Sequence, residues 1–338
     1  MKAFYITEPG KSEIDELRQP APSAGELLLR TRLIGLCGTD LSTFRGKNPL
    51  VSYPRIPGHE IAATIVESGP DVPDKFQAGL DVTVYPNTNC GKCASCLRGR
   101  TNACQFNQTL GVQRDGAMKG YFVAPWEKVH LAPGLSLEQL TLVEPLAVGF
   151  HAAERGRVTE ADSVAVLGCG MVGLGVLASA STKGATTIAI DLDDEKLALA
   201  RRVGAQYVIN SKTQNLQAEL RSVTEGLGPD VFVEAVGTPE TYRLAVEEVA
   251  YTGRVVYIGW AKEGVTYDTK WFVHKELDIL GSRNSLTEFP AVIAMLSRGK
   301  FPVAETISAT IPLEGAGDAL QRWSSAPQQF TKILVEVG

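Results

Sequence analysis

Apolar residues recur along this chain in two different rhythms. Up to about residue 145 they come in short runs, such as Glu26–Leu33, Glu60–Glu67 and Val82–Tyr85, separated by glycine and proline turns. Runs of that length between turn residues predict a β-rich region. An apolar helical stretch over Glu144–Arg155 follows. The rhythm then changes. Ser163–Leu167 leads into a helical pattern to about Lys183, and Thr187–Ile190 into another to about Val203. Gln206–Ile209 and Val231–Ala235 come next, then a helical pattern over Pro239–Ala250, then Arg254–Ile258 and Leu277–Leu280. Buried strands alternating with helices predict a doubly wound parallel sheet. From about residue 287 the pattern returns to mixed helix and strand. The expected fold class is therefore α/β, with a β-rich domain in residues 1–147 and 287–338 and a doubly wound domain in residues 148–286.

Composition narrows the partners. The 338 residues carry a net charge of −5. That balance argues against nucleic acid, whose phosphates call for a basic footprint. The start lacks a basic segment followed by an apolar run, and no stretch approaches the roughly 18 apolar residues of a membrane span. A cytoplasmic protein acting on a small molecule is the expectation.

The six cysteines are unevenly placed. Cys90, Cys93, Cys96 and Cys104 form C-x2-C-x2-C-x7-C, and the other two are Cys37 and Cys169. In a reduced chain such a cluster reads as a metal site. Four thiolates close a tetrahedron around Zn²⁺ and leave no open position, which makes the site structural. Lys92, Arg98 and Arg100 stand close by to offset its charge. An iron–sulfur cluster is the competing occupant.

Gly168-Cys169-Gly170-Met171-Val172-Gly173 fits G-x-G-x-x-G. The pattern is weak alone, but here it follows an apolar strand and opens a helix. Asp191 closes the next strand at the interval the dinucleotide fingerprint requires. The glycines allow the tight turn, the approach of pyrophosphate and close helix–sheet packing. The pyrophosphate would rest on the N–H groups at the helix start. Asp191 suits two ribose hydroxyls and repels a 2′-phosphate, so NAD is expected rather than NADP. Gly237, after a later strand, joins Gly168, Gly170, Met171, Val172, Gly173 and Asp191 as a candidate cofactor residue.

Two further motifs are Cys37-Gly38-Thr39-Asp40 and Gly58-His59-Glu60. Together with the four-cysteine segment, Glu144-Pro145-Leu146-Ala147-Val148, the glycine turn and Asp191, they occur in an order and spacing that resembles the zinc-dependent medium-chain alcohol and polyol dehydrogenases, end to end. The resemblance implies a GroES-like catalytic domain, a Rossmann domain and two zinc ions per chain. It implies a catalytic zinc held by Cys37, His59 and Glu144, with Glu60 as an additional ligand. It also implies that Thr39 bonds the reacting oxygen, that NAD takes the hydride, and that the chain forms a dimer or tetramer. Zn²⁺ with one thiolate, one imidazole and one carboxylate is formally neutral and keeps an open position. Adding Glu60 makes the site −1 and weakens its Lewis acidity, so Glu60 is expected on the metal when substrate is absent and off it when substrate binds. The pattern breaks at Ser42, where relatives often place a histidine that passes the proton to solvent. His151 is read as structural.

Ser52-Tyr53-Pro54-Arg55 and Gly281-Ser282-Arg283-Asn284 look like the L-galactonate and L-gulonate 5-dehydrogenase group, related to the sorbitol and threonine dehydrogenases. Arg55 or Arg283 would then grip a sugar-acid carboxylate. The plainer reading makes Arg55 a surface residue, and Arg283 the partner of a structural carboxylate or of the cofactor. Alternatives to C5 oxidation of a sugar acid are a sorbitol-type or L-threonine dehydrogenase, a zinc-free reductase of the same superfamily, and a non-catalytic NAD-sensing module.

Overall fold

The computed structural model describes residues 1–338. The chain begins with strands β1 (Lys2–Glu8), β2 (Lys11–Glu16) and β3 (Glu26–Gly35), helix α1 (Gly38–Phe44), β4 (Glu60–Ser68) and β5 (Asp81–Val84). It continues through α2 (Ala94–Leu97), β6 (Tyr121–Pro125), β7 (Val129–Leu131) and α3 (Leu137–Arg155). The alternating region holds β8 (Ser163–Leu167), α4 (Met171–Thr182), β9 (Thr186–Asp191), α5 (Asp194–Val203), β10 (Tyr207–Asn210) and α6 (Leu216–Val223). It also holds β11 (Val231–Glu234), α7 (Pro239–Glu248), β12 (Arg254–Tyr257), α8 (Lys270–His274) and β13 (Asp278–Gly281). The tail is α9 (Phe289–Ser297), α10 (Val303–Thr306), β14 (Ile307–Pro312), α11 (Ala316–Ser325) and β15 (Lys332–Glu336). These elements form two compact units. One comprises Met1–Glu144, Ile293–Arg298 and Val303–Gly338, and the other Pro145–Val292 and Gly299–Pro302.

In the first unit a sheet runs β14-β15-β3-β4-β5-β7, with β6 also on β3. The ten-residue β3 is its spine. Its first half pairs with β6 and its last three residues with β15, while β4 lies antiparallel along its other side. Leu27, Leu29, Ile34, Ile61, Phe122 and Val335 are among the buried residues that make this sheet's core. The tail strands join here because Ile333, Leu334 and Val335 are fully apolar and need cover on both faces.

The second unit holds a six-stranded parallel sheet in the order β10-β9-β8-β11-β12-β13. Numbered within the unit, the order is 3-2-1-4-5-6, the Rossmann arrangement, with its switch point between β8 and β11. Each apolar run expected as a strand in this region is one, to within a residue or two. The central runs lack polar alternation because both faces are covered: Val164, Ala165, Val166, Phe232 and Val233 are all fully buried, whereas the edge strand β13 is largely exposed.

Two boundaries differ from the pattern reading. Helix α3 starts at Leu137, seven residues before the expected Glu144. A capping box explains this: Ser136 Oγ accepts the Gln139 N–H at 3.2 Å, and Gln139 Oε1 accepts the Ser136 N–H at 2.8 Å. Helix α6 was not anticipated. It is only eight residues long, too short to set a helical rhythm, and Asn215 caps it by accepting the Ala218 N–H at 3.1 Å.

Candidate functional site

One group of side chains collects in the first unit where β3 passes into α1. Cys37 stands at the N-terminus of α1, held by Asp40, whose Oδ2 accepts the Cys37 N–H at 2.9 Å. His59 immediately precedes β4 and Glu60 opens it, opposite Gly35 at the end of β3. One donor atom from each of Cys37, His59 and Glu60 lies within 4.8 Å of the other two. Glu144 is not a member of that tight group, but it is buried and close enough for its charge to act on His59. Thr39 occupies the first turn of α1, two residues beyond Cys37.

Charge shows what this group lacks. Asp40, Glu60 and Glu144 are all buried carboxyls, and the one buried ammonium beside them is that of Lys332. Burial pushes Glu144 up to about 7. Burial alone lowers the pKa of His59, but Asp40, Cys37 and Glu144 outweigh it and hold the imidazole well above its ordinary value. His59 Nδ1 and Asp40 Oδ1, 3.8 Å apart, are buried without hydrogen-bond partners. A thiolate, an imidazole and carboxylates gathered with an excess of negative charge suit a zinc ion, which prefers these donors. It also favours their deprotonated forms.

Pattern reading missed Lys332. It lies on β15, far along the chain, and its Nζ donates to Leu36 O at 2.9 Å and forms an ion pair with Glu60 Oε2. Both side chains are almost fully buried. The only signal in the sequence is a lysine leading an otherwise apolar strand.

The four clustered cysteines also meet: one sulfur from each of Cys90, Cys93, Cys96 and Cys104 lies within 4.8 Å of the other three. None is in a disulfide. Backbone N–H groups of Cys90 and Phe106 point at Cys104 Sγ, and that of Cys93 at Cys90 Sγ, all at 3.3 Å. Hydrogen bonding with Ser95 and with the backbone N–H groups of Cys96 and Gln105 brings the Cys93 thiol down to about 5. Sulfurs that collect N–H donors are prepared to be thiolates around a cation.

In the second unit, β8 turns through Gly168-Cys169-Gly170 into α4, whose first turn holds Met171 and Val172. A Cβ on Gly173 would fall 1.9 Å from Gly168 O, so only glycine permits this packing of helix against turn. No side chain caps the start of α4, which leaves its first N–H groups for a ligand. Asp191 ends β9 and also braces the turn. Its Oδ2 accepts the Cys169 N–H at 2.7 Å, and its Oδ1 accepts those of Leu192 at 2.7 Å and Asp193 at 3.2 Å. Across the switch point, Gly237 follows β11. Its N–H reaches Glu234 Oε1 at 2.7 Å, and that oxygen also binds the Val236 N–H and the Thr241 hydroxyl. Glu234, a fully buried acid closing an apolar strand, is a second organiser that pattern reading passed over.

Three candidates remain, Arg55, Arg283 and His151. Arg55 already has partners: Nη1 bonds Asp115 Oδ1 and Nη2 bonds Ser52 Oγ, both at 2.9 Å. Arg283 follows β13 in the parallel-sheet unit. His151 Nδ1 lies 2.8 Å from Glu288 Oε1, a buried pair inside the same unit.

Known proteins resemble this chain along nearly its whole length. Residues 23–134 match the alcohol dehydrogenase GroES-like domain, and residues 172–298 match the zinc-binding dehydrogenase family. Sorbitol dehydrogenase of Bacillus subtilis is 32% identical over 99% of this chain and 97% of its own. L-Galactonate-5-dehydrogenase of Escherichia coli is 30% identical over 95% of each chain. The crystal structure of an Escherichia coli CFT073 alcohol dehydrogenase complexed with NADH superposes with a TM-score of 0.91, at 30% identity and 99% coverage of both chains. No helix is long and apolar enough to cross a membrane.

Proposed function

The chain belongs to the zinc-dependent medium-chain alcohol and polyol dehydrogenases, and we propose that it oxidises a secondary alcohol of a small polyhydroxylated substrate with NAD. The meeting of half-buried Cys37 with buried His59 and Glu60, and with Glu144 beside it, carries this reading. Within it, Cys37, His59 and Glu144 hold the catalytic zinc and Glu60 is an exchangeable ligand. Cys90, Cys93, Cys96 and Cys104 hold the structural one. Residues 1–147 and 287–338 carry the catalytic chemistry, and residues 148–286 bind the cofactor.

When bound, zinc supplies Lewis acidity that lowers the pKa of the substrate hydroxyl, and NAD accepts the hydride. The protein's own groups do the rest. Asp40 holds the Cys37 backbone and faces His59, which fixes two of the donors relative to each other. The Thr39 hydroxyl would accept the hydrogen bond of the reacting alcohol and, as it takes that proton, hand its own to water, the cofactor ribose or Ser42 and so to solvent. Asp191 accepts the ribose hydroxyls, while the open N–H groups of α4 take the pyrophosphate.

The substrate belongs among alditols and aldonates, with the L-galactonate and L-gulonate type as the specific reading. Similarity to both a sorbitol and an L-galactonate dehydrogenase supports that range. Because Arg55 is committed to Asp115 and Ser52, it can grip a substrate carboxylate only by releasing Asp115. Arg283 is the other candidate for that grip. The test is NADH formation over a panel of alditols, aldonates and L-threonine, run with wild type, Arg55→Ala and Arg283→Ala. Aldonate turnover with a raised KM in either variant supports the sugar-acid reading. Unchanged KM in both removes it, and no turnover of any panel member refutes the polyol assignment.

A further inference from the structure

Three neighbouring strands bring Lys332 and Glu60 together. In the order β15-β3-β4, Gly35 of the middle strand lies opposite Leu334 on one side and Glu60 on the other. Lys332 precedes Leu334 by two residues and so shares its face of the sheet. Any side chain at position 35 would stand between them. A Cβ on Gly35 would fall 2.1 Å from Glu60 Oε2, so the carboxylate occupies the space that the missing side chain leaves. Lys332 meets it there, steadied by Leu36 O.

We propose that Lys332 is a positioning residue that competes with the zinc for Glu60 and so keeps the fourth coordination position open to substrate. The inference rests on the metal assignment made above. Glu60 has two attractions within reach. Its carboxylate is paired with Lys332 over Gly35, and one of its oxygens lies within 4.8 Å of the Cys37 and His59 donors. A carboxylate in a dry site needs a cation. With Lys332 present, Glu60 has a second cation to turn to when substrate arrives, and the zinc it leaves, with Cys37, His59 and Glu144, is still formally neutral. Without Lys332, zinc is the remaining cation. Glu60 then stays on it and closes the position where substrate oxygen would bind. Gly35 is part of the device, because a larger residue would deny Glu60 its place beside the lysine.

The test compares wild type, Lys332→Met, Lys332→Arg and the double variant Glu60→Gln/Lys332→Met. The readouts are zinc release to a chelator and the visible spectrum of the protein with Co²⁺ at the catalytic site. The catalytic release phase is the one that Cys37→Ser abolishes. Lys332→Met is expected to slow that phase about tenfold, the low end of the change seen when a residue that holds a metal ligand is altered, and to shift the cobalt bands. Lys332→Arg is expected to restore both, and the double variant to lose the slowing. A Lys332→Met protein with the wild-type release rate and spectrum overturns the proposal. So does slowing that persists in the double variant. If Lys332→Met does not fold, Gly35→Ala displaces Glu60 from the other side and must show the same slowing; wild-type release there also overturns the proposal. The metal assignment fails separately: wild type holding only one zinc, or Cys37→Ser keeping two, would refute it whatever Lys332 does.

Discussion

Asp191 offers the sharpest test of the cofactor assignment, because its carboxylate does two jobs that one measurement can separate. It accepts three backbone N–H groups of its own and the neighbouring turn, and it is the acceptor proposed for the ribose. In Asp191→Ala both jobs are lost. Loss of the Cys169 bond loosens the glycine turn and weakens every dinucleotide alike. Loss of the ribose bonds affects NAD alone. Hydrogen bonds to a charged group contribute about 1.5–3 kcal/mol each. Two such bonds, partly replaced by water, amount to about 3 kcal/mol, or a fall of about 150-fold in kcat/KM for NAD. NADP gains instead. A carboxylate facing a phosphate about 4 Å away repels it by up to about 4 kcal/mol at an effective dielectric of 20. Solvent screening at this half-exposed position leaves about a tenfold gain. The NAD to NADP ratio of kcat/KM should therefore fall about 10³-fold, measured by initial rates with both cofactors on the best substrate of the panel. A ratio within threefold of wild type would refute ribose recognition by Asp191 and leave it only a structural brace. Wild type that uses both cofactors equally would do the same.

Two other outcomes follow from the geometry. Cys104→Ser removes a fully buried sulfur that collects two backbone N–H groups, so bound zinc should drop from two to one per chain by elemental analysis, with new protease cleavage near residues 90–106; retention of two zincs would contradict the closed four-thiolate site. Lys275→Met removes a buried ammonium that donates to Glu247 O at 2.6 Å and Val249 O at 2.8 Å at the end of α7 and lies 5.2 Å from the Trp271 ring. That loss should cost about 2–4 kcal/mol in urea unfolding followed by circular dichroism, and a cost below about 1 kcal/mol would mean the contacts are dispensable.

The chemistry was legible wherever its residues lie close in sequence. The glycine turn is six consecutive residues, and the distance to Asp191 is set by one helix and one strand. The four cysteines span fifteen positions, from Cys90 to Cys104. Cys37 and His59 were readable only through resemblance, since an isolated cysteine or histidine is more often core. The apolar period alone puts the start of α3 too late, because the Ser136–Gln139 capping box that opens the helix lies ahead of it.

The strands of the parallel sheet are determined by the sequence itself, because a strand buried on both faces must be apolar throughout and each run announces its own limits. The alternation with helices makes the sheet parallel but leaves its strand order open, and that order is decided by tertiary packing. The β3–β15 pairing is different in kind. Leu334 meets Gly35 across about 300 residues, and nothing local in either segment specifies that register. Register depends on which edges remain unpaired after the rest of the sheet has formed. Only once it is set does an ordinary glycine become the gap through which Lys332 reaches Glu60. The sequence offers the proposed metal ligands one motif at a time. The residue that competes for one of them belongs to no motif, because the contact is made by the packing of strands rather than by spacing along the chain.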